Sequence, residues 1–250
     1  ATRRESDRMS TDQHGLTASA TGKVTTWIPL LEPGDRLSRE EFERRYRAMP
    51  HLKKAELIEG VVYLPSPARF QHHSGPHAAV VGWLYVYNVA TPGVKLADNG
   101  TVRLDPANEP QPDAFLFIEP QCGGQIRISD DDYIVEAPEL IVEVASSSVS
   151  YDLGPKLEAY RRNGVREYVV WRVLDRELDW FVLSSGEYQR LELGADGIYR
   201  SQVFPGLWLD RHALLESNHA RVVECVQLGL QTQEHSGFIQ RLAAARARSR

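Results

Sequence analysis

A glutamate lies in the middle of a short run that is otherwise apolar, and this run constrains the fold more than any other segment. The run is Leu-Ile-Val-Glu-Val-Ala, residues 140–145. Consecutive apolar positions predict a strand that is covered on both faces, as in the sheet of an α/β protein. An ionised Glu143 in such a strand is costly unless a cation or a strong hydrogen-bond donor contacts it. We therefore expect Glu143 to have a functional partner.

A second acid opens another apolar strand upstream. Asp113 precedes Ala-Phe-Leu-Phe-Ile, residues 114–118. Two carboxylates from two strands of one sheet can hold a hard cation, because Mg²⁺ prefers oxygen ligands and often takes one or two carboxylates plus waters. The backbone carbonyl of Val144 is a third oxygen beside them. The sequence therefore predicts a site for Mg²⁺ or Mn²⁺ at Asp113, Glu143 and Val144.

Lys156 is the candidate for a positive charge at this site. Position 145 shares a strand face with Glu143 but carries a small alanine. In a helix predicted over about 153–163, Asp152, Lys156 and Tyr160 are spaced i, i+4, i+8 and share one face. A bound cation would activate a water for attack on a phosphoryl group. An ammonium from that face would help to orient or deprotonate this water and to stabilise the charge that develops on the phosphoryl oxygens. For Asp152 itself, N-capping of this helix is the stronger interpretation.

The remaining segments predict a mixed arrangement of helices and strands. Helices are expected over about 38–48, with Ser38 as N-cap and Glu41 as its capping-box partner, over 70–90, and in a terminal region from 210 to 248. Strands are expected over 55–64 with a turn at Glu59-Gly60, 94–104, 112–118, 166–173, and a hairpin of 177–183 and 187–193, with a loop over 121–133. This order predicts an α/β (mixed α+β) fold in which a mixed central sheet is flanked by helices, with an added hairpin and a C-terminal helix. We expect a flexible N-terminal arm over 1–26, one domain over 27–215 and a C-terminal helical extension over 216–250.

The charge pattern neither excludes nor requires a nucleic-acid partner. The formal net charge is −5, whereas phosphate binding usually leaves a basic footprint. Acidic metal sites lower the net charge, however, and local basic clusters are present: Arg44, Arg45 and Arg47; Lys53 and Lys54; Arg161, Arg162 and Arg166; and Arg241, Arg246, Arg248 and Arg250. Each cluster taken alone is more typical of a solvated face.

Several other residues favour structural interpretations. Cys122 and Cys225 are far apart without metal-type spacing, and no apolar run is long enough for a membrane span, so we expect a cytoplasmic protein without membrane association. His73 and His77 are spaced i, i+4, but Pro76 lies between them and no companion acid is in frame, which favours a capping or core-edge role over a zinc site. The tryptophans Trp171, Trp180 and Trp208 are predicted to be core residues.

The motifs taken in order resemble a known family. They are Glu56 to Gly60, a helix led by His73, Gln111-Pro112-Asp113, Pro138 to Val144, Asp152 through Lys156 to Tyr160, Gly164 to Tyr168, and Phe204 to Leu207. Over about residues 35–215 the chain resembles the Uma-type family of restriction-endonuclease-like proteins in the PD-(D/E)XK nuclease superfamily. The resemblance implies a restriction endonuclease-like core and a metal-dependent phosphodiesterase site at Asp113, Glu143 and Lys156, with Glu56 as a fourth candidate. The superfamily motif has a lysine at the position of Ala145, and the family's own pattern moves it to the following helix.

Three hypotheses follow. The first is a metal-dependent endonuclease that hydrolyses phosphodiester bonds in DNA. The second, which the acidic net charge favours, is a non-cleaving nucleic-acid-binding or interaction module on the same fold, because fold does not guarantee chemistry. The third is a metal hydrolase for a small phosphate ester. Nucleases that cut both strands often act as symmetric dimers, so a homodimer with the terminal helix as its contact is also expected.

Overall fold

A computed structural model describes residues 27–64 and 70–249 of the 250-residue chain, and the predicted arm over 1–26 lies outside these ranges. The helices in them are α1 (Arg39–Arg47), α2 (Gly75–Ala90), α3 (Val149–Tyr151), α4 (Leu157–Asn163), α5 (Arg211–Leu215), α6 (His219–Leu230) and α7 (Gln233–Arg248). The strands are β1 (Glu56–Ile58), β2 (Val61–Tyr63), β3 (Val94–Asp98), β4 (Val102–Arg103), β5 (Ala114–Ile118), β6 (Arg127–Ile128), β7 (Ile134–Val135), β8 (Leu140–Ala145), β9 (Glu167–Arg172), β10 (Glu177–Ser184), β11 (Glu187–Arg190), β12 (Ile198–Arg200) and β13 (Trp208–Asp210).

The main sheet is mixed, as predicted. Its strand order is β11-β10-β9-β8-β5-β3. The central strands β8 and β9 run parallel, whereas the other neighbouring pairs are antiparallel. Smaller sheets surround it: the hairpins β1-β2 and β12-β13, and the three-stranded sheet β4-β7-β6. The predicted hairpin at Ser185-Gly186 is confirmed as β10 and β11.

Strand β8 is covered on both faces, which confirms the prediction from its apolar run. Leu140, Val142 and Val144 belong to one core cluster, in which α2, α6 and α7 also take part. Ile141 and Ala145 belong to a second cluster on the opposite face, which includes Tyr160 of α4. Because side chains alternate along a strand, Glu143 lies on the α4 face, between two apolar neighbours.

Three local predictions are wrong in whole or in part. The strand expected over 94–104 is two strands in two sheets, because Asn99 has a left-handed φ of 51° and breaks the extended run. The loop expected over 121–133 contains β6. The capping box of α1 is half formed: Ser38 accepts from the Glu41 N–H at 3.4 Å, but the Glu41 carboxylate binds Arg44 and Arg45 instead of reaching back.

The C-terminal helices join the core cluster on the face of the main sheet that α2 covers. Phe238 and Leu242 of α7 are buried in the same core cluster as Trp83 and Trp180. The boundary between domain and extension at residue 216 stays a prediction. None of the helices in 27–64 and 70–249 combines the length and apolar character of a membrane span.

Candidate active site

Four acidic side chains and two lysines lie together where β5 begins and β8 ends. The acids are Glu56, Asp113, Glu143 and Asp152, and the lysines are Lys54 and Lys156. All four acids are buried, with at most 6% of each residue exposed. The structure thus brings together all four site residues that the sequence predicted, and adds Lys54 and Asp152 to them.

Glu143 receives donors on both of its carboxylate oxygens. Its Oε1 accepts from Lys156 Nζ and from the Tyr160 hydroxyl, both at 2.9 Å. Its Oε2 accepts from the backbone N–H of Asp113 at 3.4 Å. Lys156 ends the turn before α4 and Tyr160 lies within α4, and their i, i+4 spacing places both donors on one face, as the sequence predicted.

The Asp113 side chain binds β8 just beyond the point where the pairing of β5 with β8 ends. The two strands pair from Leu140 to Val142, so the backbone N–H of Val144 has no partner on β5. The Asp113 Oδ2 accepts from it at 2.8 Å. The other oxygen, Oδ1, lies 3.3 Å from Lys54 Nζ. The carboxylate is therefore oriented by one strand and charge-paired by a residue outside the sheet.

Lys156 is enclosed by carboxylates. Its Nζ lies 2.9 Å from Glu143 Oε1, 2.9 Å from Glu56 Oε1 and 3.8 Å from Asp152 Oδ1. The Tyr151 ring covers it, with 5.1 Å between Nζ and the ring centroid, a favourable cation–π distance. With 3% of its side chain exposed, this lysine acts on its surroundings through the carboxylates that hold it.

The N-cap role predicted for Asp152 is wrong. The helix begins earlier, at Val149, and Asp152 starts a kinked turn, Asp152–Lys156, between α3 and α4. The kink lies at Gly154, which has the non-helical angles φ −119° and ψ −105°, and the following Pro155 has no N–H to donate. This turn keeps Asp152 within ion-pair distance of Lys156.

Burial and neighbouring charges shift the pKa values of the residues in the cluster. Although burial opposes it, Lys54, Lys156 and the Val144 N–H hold the pKa of Asp113 below its ordinary value. Burial alone would lower the pKa of Lys156, but its three carboxylates outweigh burial and raise that pKa well above the usual value. Burial raises the pKa of Glu143 to about 8 against the attraction of Lys156. Asp113 and Lys156 are therefore charged at neutral pH, whereas Glu143 carries a proton that a bound cation would displace.

The histidines expected at a core edge border this cluster. His73 Nδ1 lies 3.1 Å from the Val144 carbonyl oxygen, so this nitrogen carries the proton that it donates. His73 Nε2 lies 3.7 Å from Asp113 Oδ1. His77 Nε2 lies 2.8 Å from the Asp113 carbonyl oxygen and 2.9 Å from Asp98 Oδ1. Asp98 is the companion acid that the sequence spacing did not reveal, because it comes from β3.

The donor set fits a hard divalent cation. With all four carboxylates ionised, as a bound cation would favour, they outnumber the two ammonium groups by two, and this excess would match the charge of one such ion. Asp113, Glu143 and the second lone pair of the Val144 carbonyl would supply oxygen ligands, the type that Mg²⁺ and Mn²⁺ prefer. Among residues 27–64 and 70–249, no three His, Cys, Asp or Glu side chains are arranged to ligate one ion. A bound ion would therefore keep several waters, which is usual for Mg²⁺.

Lys54 belongs to the site, although the sequence predicted it only as part of a basic cluster. It lies in an irregular segment between α1 and β1, without periodicity to predict its direction. The surrounding acids outweigh the effect of burial and raise its pKa, so it is an ammonium. The pair Lys53 and Lys54 was the one sequence feature that indicated a positive charge in this segment.

Two comparisons with known proteins found a similarity, one to a family and one to a solved structure. A family model, Uma2, described as "Putative restriction endonuclease", matches residues 39–212. A solved structure, a putative nuclease belonging to DUF820 from Anabaena variabilis ATCC 29413, is 14% identical and has a TM-score of 0.47. That match covers 75% of this chain and 97% of the solved one. No curated protein matches the chain.

Proposed function

This chain belongs to the Uma2 family of restriction endonuclease-like proteins, and we propose that it is a metal-dependent endonuclease acting on DNA. The observation that supports this most directly is a buried cluster in which four carboxylates outnumber two ammonium groups, with Asp113 and Glu143 at neighbouring strands of the main sheet. Asp113, Glu143 and the Val144 carbonyl would hold Mg²⁺ or Mn²⁺. Such an ion lowers the pKa of its bound water and offsets charge on a phosphoryl oxygen.

The protein's own groups would each have a distinct task. Asp113 is oriented by the Val144 N–H and kept ionised by nearby lysines. Lys156 and Tyr160 fix the Glu143 carboxylate. Glu56, whose Oε1 accepts from the Gln111 N–H at 2.8 Å, braces Lys156 from the other side. The enclosure of Lys156 supports a positioning role through Glu143 rather than direct contact with the attacking water.

The test is nicking of supercoiled DNA with Mg²⁺, with Mn²⁺ and with a chelator. We expect nicking only with a divalent cation, and we expect Asp113→Asn to lower its rate by at least about 100-fold, since this change removes a ligand charge while preserving shape. Asp175→Asn is the matched control, because Asp175 pairs with Arg172 at the surface. Nicking that persists in Asp113→Asn, or that needs no cation, would contradict the proposal.

The second candidate is a non-cleaving nucleic-acid-binding module on the same fold. One observation favours it: Lys54 and Lys156 already neutralise part of the cluster in the described structure. Calorimetric titration with Mn²⁺ separates the two, since DNA binding without any Mn²⁺ binding is the result expected of the module. Cutting both strands with one site per chain calls for two chains, so the endonuclease proposal includes a homodimer on DNA.

A further inference from the structure

The two lysines of the cluster differ in exposure. Lys156 has 3% of its side chain exposed, and Lys54 has 22%. His73, with 30% exposed, borders Asp113 on the same accessible side. The cluster is therefore closed around Lys156 and more open at Lys54 and His73, where a substrate can approach.

The contacts of Lys54 are also longer than those of Lys156. Its Nζ has two acceptors among the described residues, Asp113 Oδ1 at 3.3 Å and Asn99 Oδ1 at 3.4 Å. Charge-assisted hydrogen bonds of ammonium groups are usually about 2.7–2.9 Å, which is the distance that Lys156 keeps to Glu143 and Glu56. Lys54 is thus an ammonium with hydrogen-bonding capacity to spare, beside the Asp113 carboxylate.

We propose that Lys54 is the lysine of this site that contacts the scissile phosphate of DNA. The inference rests on the proposed function and assigns the substrate-facing charge to a residue outside the helix that carries Lys156. A phosphate oxygen carries more negative charge than the Asn99 amide and would replace that contact. As a flexible point charge, the Lys54 ammonium would neutralise charge that develops on the phosphate during hydrolysis.

The test compares Lys54→Met with Lys53→Met, which removes the same charge from the exposed neighbouring position. Single-turnover DNA cleavage is measured at several salt concentrations, and it yields both the saturating rate and the half-saturating protein concentration. We expect Lys54→Met to lower the saturating rate by about 100-fold and to reduce the salt dependence of binding by about one unit of slope. Lys53→Met should change neither.

A calorimetric titration with Mn²⁺ excludes a merely structural role. Because an ammonium repels a cation at Asp113, Lys54→Met should bind Mn²⁺ at least as tightly as the wild type. Loss of Mn²⁺ binding in this variant, or cleavage and salt dependence like those of Lys53→Met, would overturn the inference alone. A wild-type protein without cation-dependent cleavage would overturn the proposed function together with it.

Discussion

Among single residues, Lys156 depends most on its surroundings. It is buried, and three buried carboxylates lie within 3.8 Å of its ammonium nitrogen. A buried ion pair contributes little net stability when intact, but removing one partner leaves an uncompensated charge. The lysine is therefore as important for folding as for chemistry.

Replacing Lys156 with methionine should destabilise the protein strongly. We expect the free energy of unfolding to fall by about 3–5 kcal/mol, because Glu143, Glu56 and Asp152 lose their shared cation. Urea unfolding followed by circular dichroism measures it. Lys95→Met is the control, since Lys95 is exposed and pairs loosely with Glu119 at 3.8 Å, and it should cost less than about 1 kcal/mol. Equal costs for the two variants would contradict the charge assignment.

Single residues were predictable from the sequence where they belong to a regular pattern. Asp113 and Glu143 are charged positions in apolar strands, and Lys156 follows from helical spacing. Lys54 and His77 were not predictable as site residues, because their contacts with Asp113 depend on tertiary packing between distant segments.

Among the elements, the turn before α4 shows where local rules mislead. Asp152 followed by Pro155 matches the sequence pattern of a helix start. The chain instead is already helical from Val149 and kinks at Gly154, before Pro155. A capping rule pairs the Asp152 carboxylate with a backbone N–H, but in the structure this carboxylate pairs with Lys156. Only the tertiary structure decides between these two partners.

Strand β9 is joined to the loop after β12 by a buried carboxylate, and this contact should depend on pH. Glu167 accepts from Ser201 Oγ at 2.6 Å, from Gln202 N–H at 2.7 Å and from Val203 N–H at 3.2 Å. Burial raises the pKa of Glu167 to about 7 despite these donors. The folded state therefore binds a proton more firmly than the unfolded state, and its stabilisation is complete below the ordinary carboxyl pKa and is lost as pH rises through about 7.

Glu167→Gln removes this titration. We expect the unfolding free energy of the wild type, relative to this variant, to fall by up to about 3 kcal/mol between about pH 5 and pH 8. Urea unfolding at a series of pH values measures the difference. Glu187→Gln, at an exposed carboxylate of β11, should run parallel to the wild type. If the curve of Glu167→Gln also runs parallel to that of the wild type, the Glu167 carboxylate does not titrate in this pH range.

At the scale of the whole molecule, the mixed sheet is what assembles the site. The antiparallel pairing of β5 with β8 sets Asp113 beside Val144, and the helix after β8 returns across the sheet to set Lys156 and Tyr160 on Glu143. The sequence predicted this sheet, its helices and the two-sided burial of β8 because hydrophobic periodicity is a local signal. The short hairpin β12-β13 and the contacts of Lys54 and His77 with Asp113 arise from packing between segments, which no local pattern encodes.

The most direct test of the central claim is anomalous diffraction at the manganese edge from crystals of the full chain soaked in Mn²⁺. We predict one anomalous peak per chain, within coordination distance of the Asp113 and Glu143 carboxylates and near the Val144 carbonyl, and its loss in Asp113→Asn crystals. The absence of a peak between these two carboxylates in the wild type, or a peak that survives in Asp113→Asn, would contradict it.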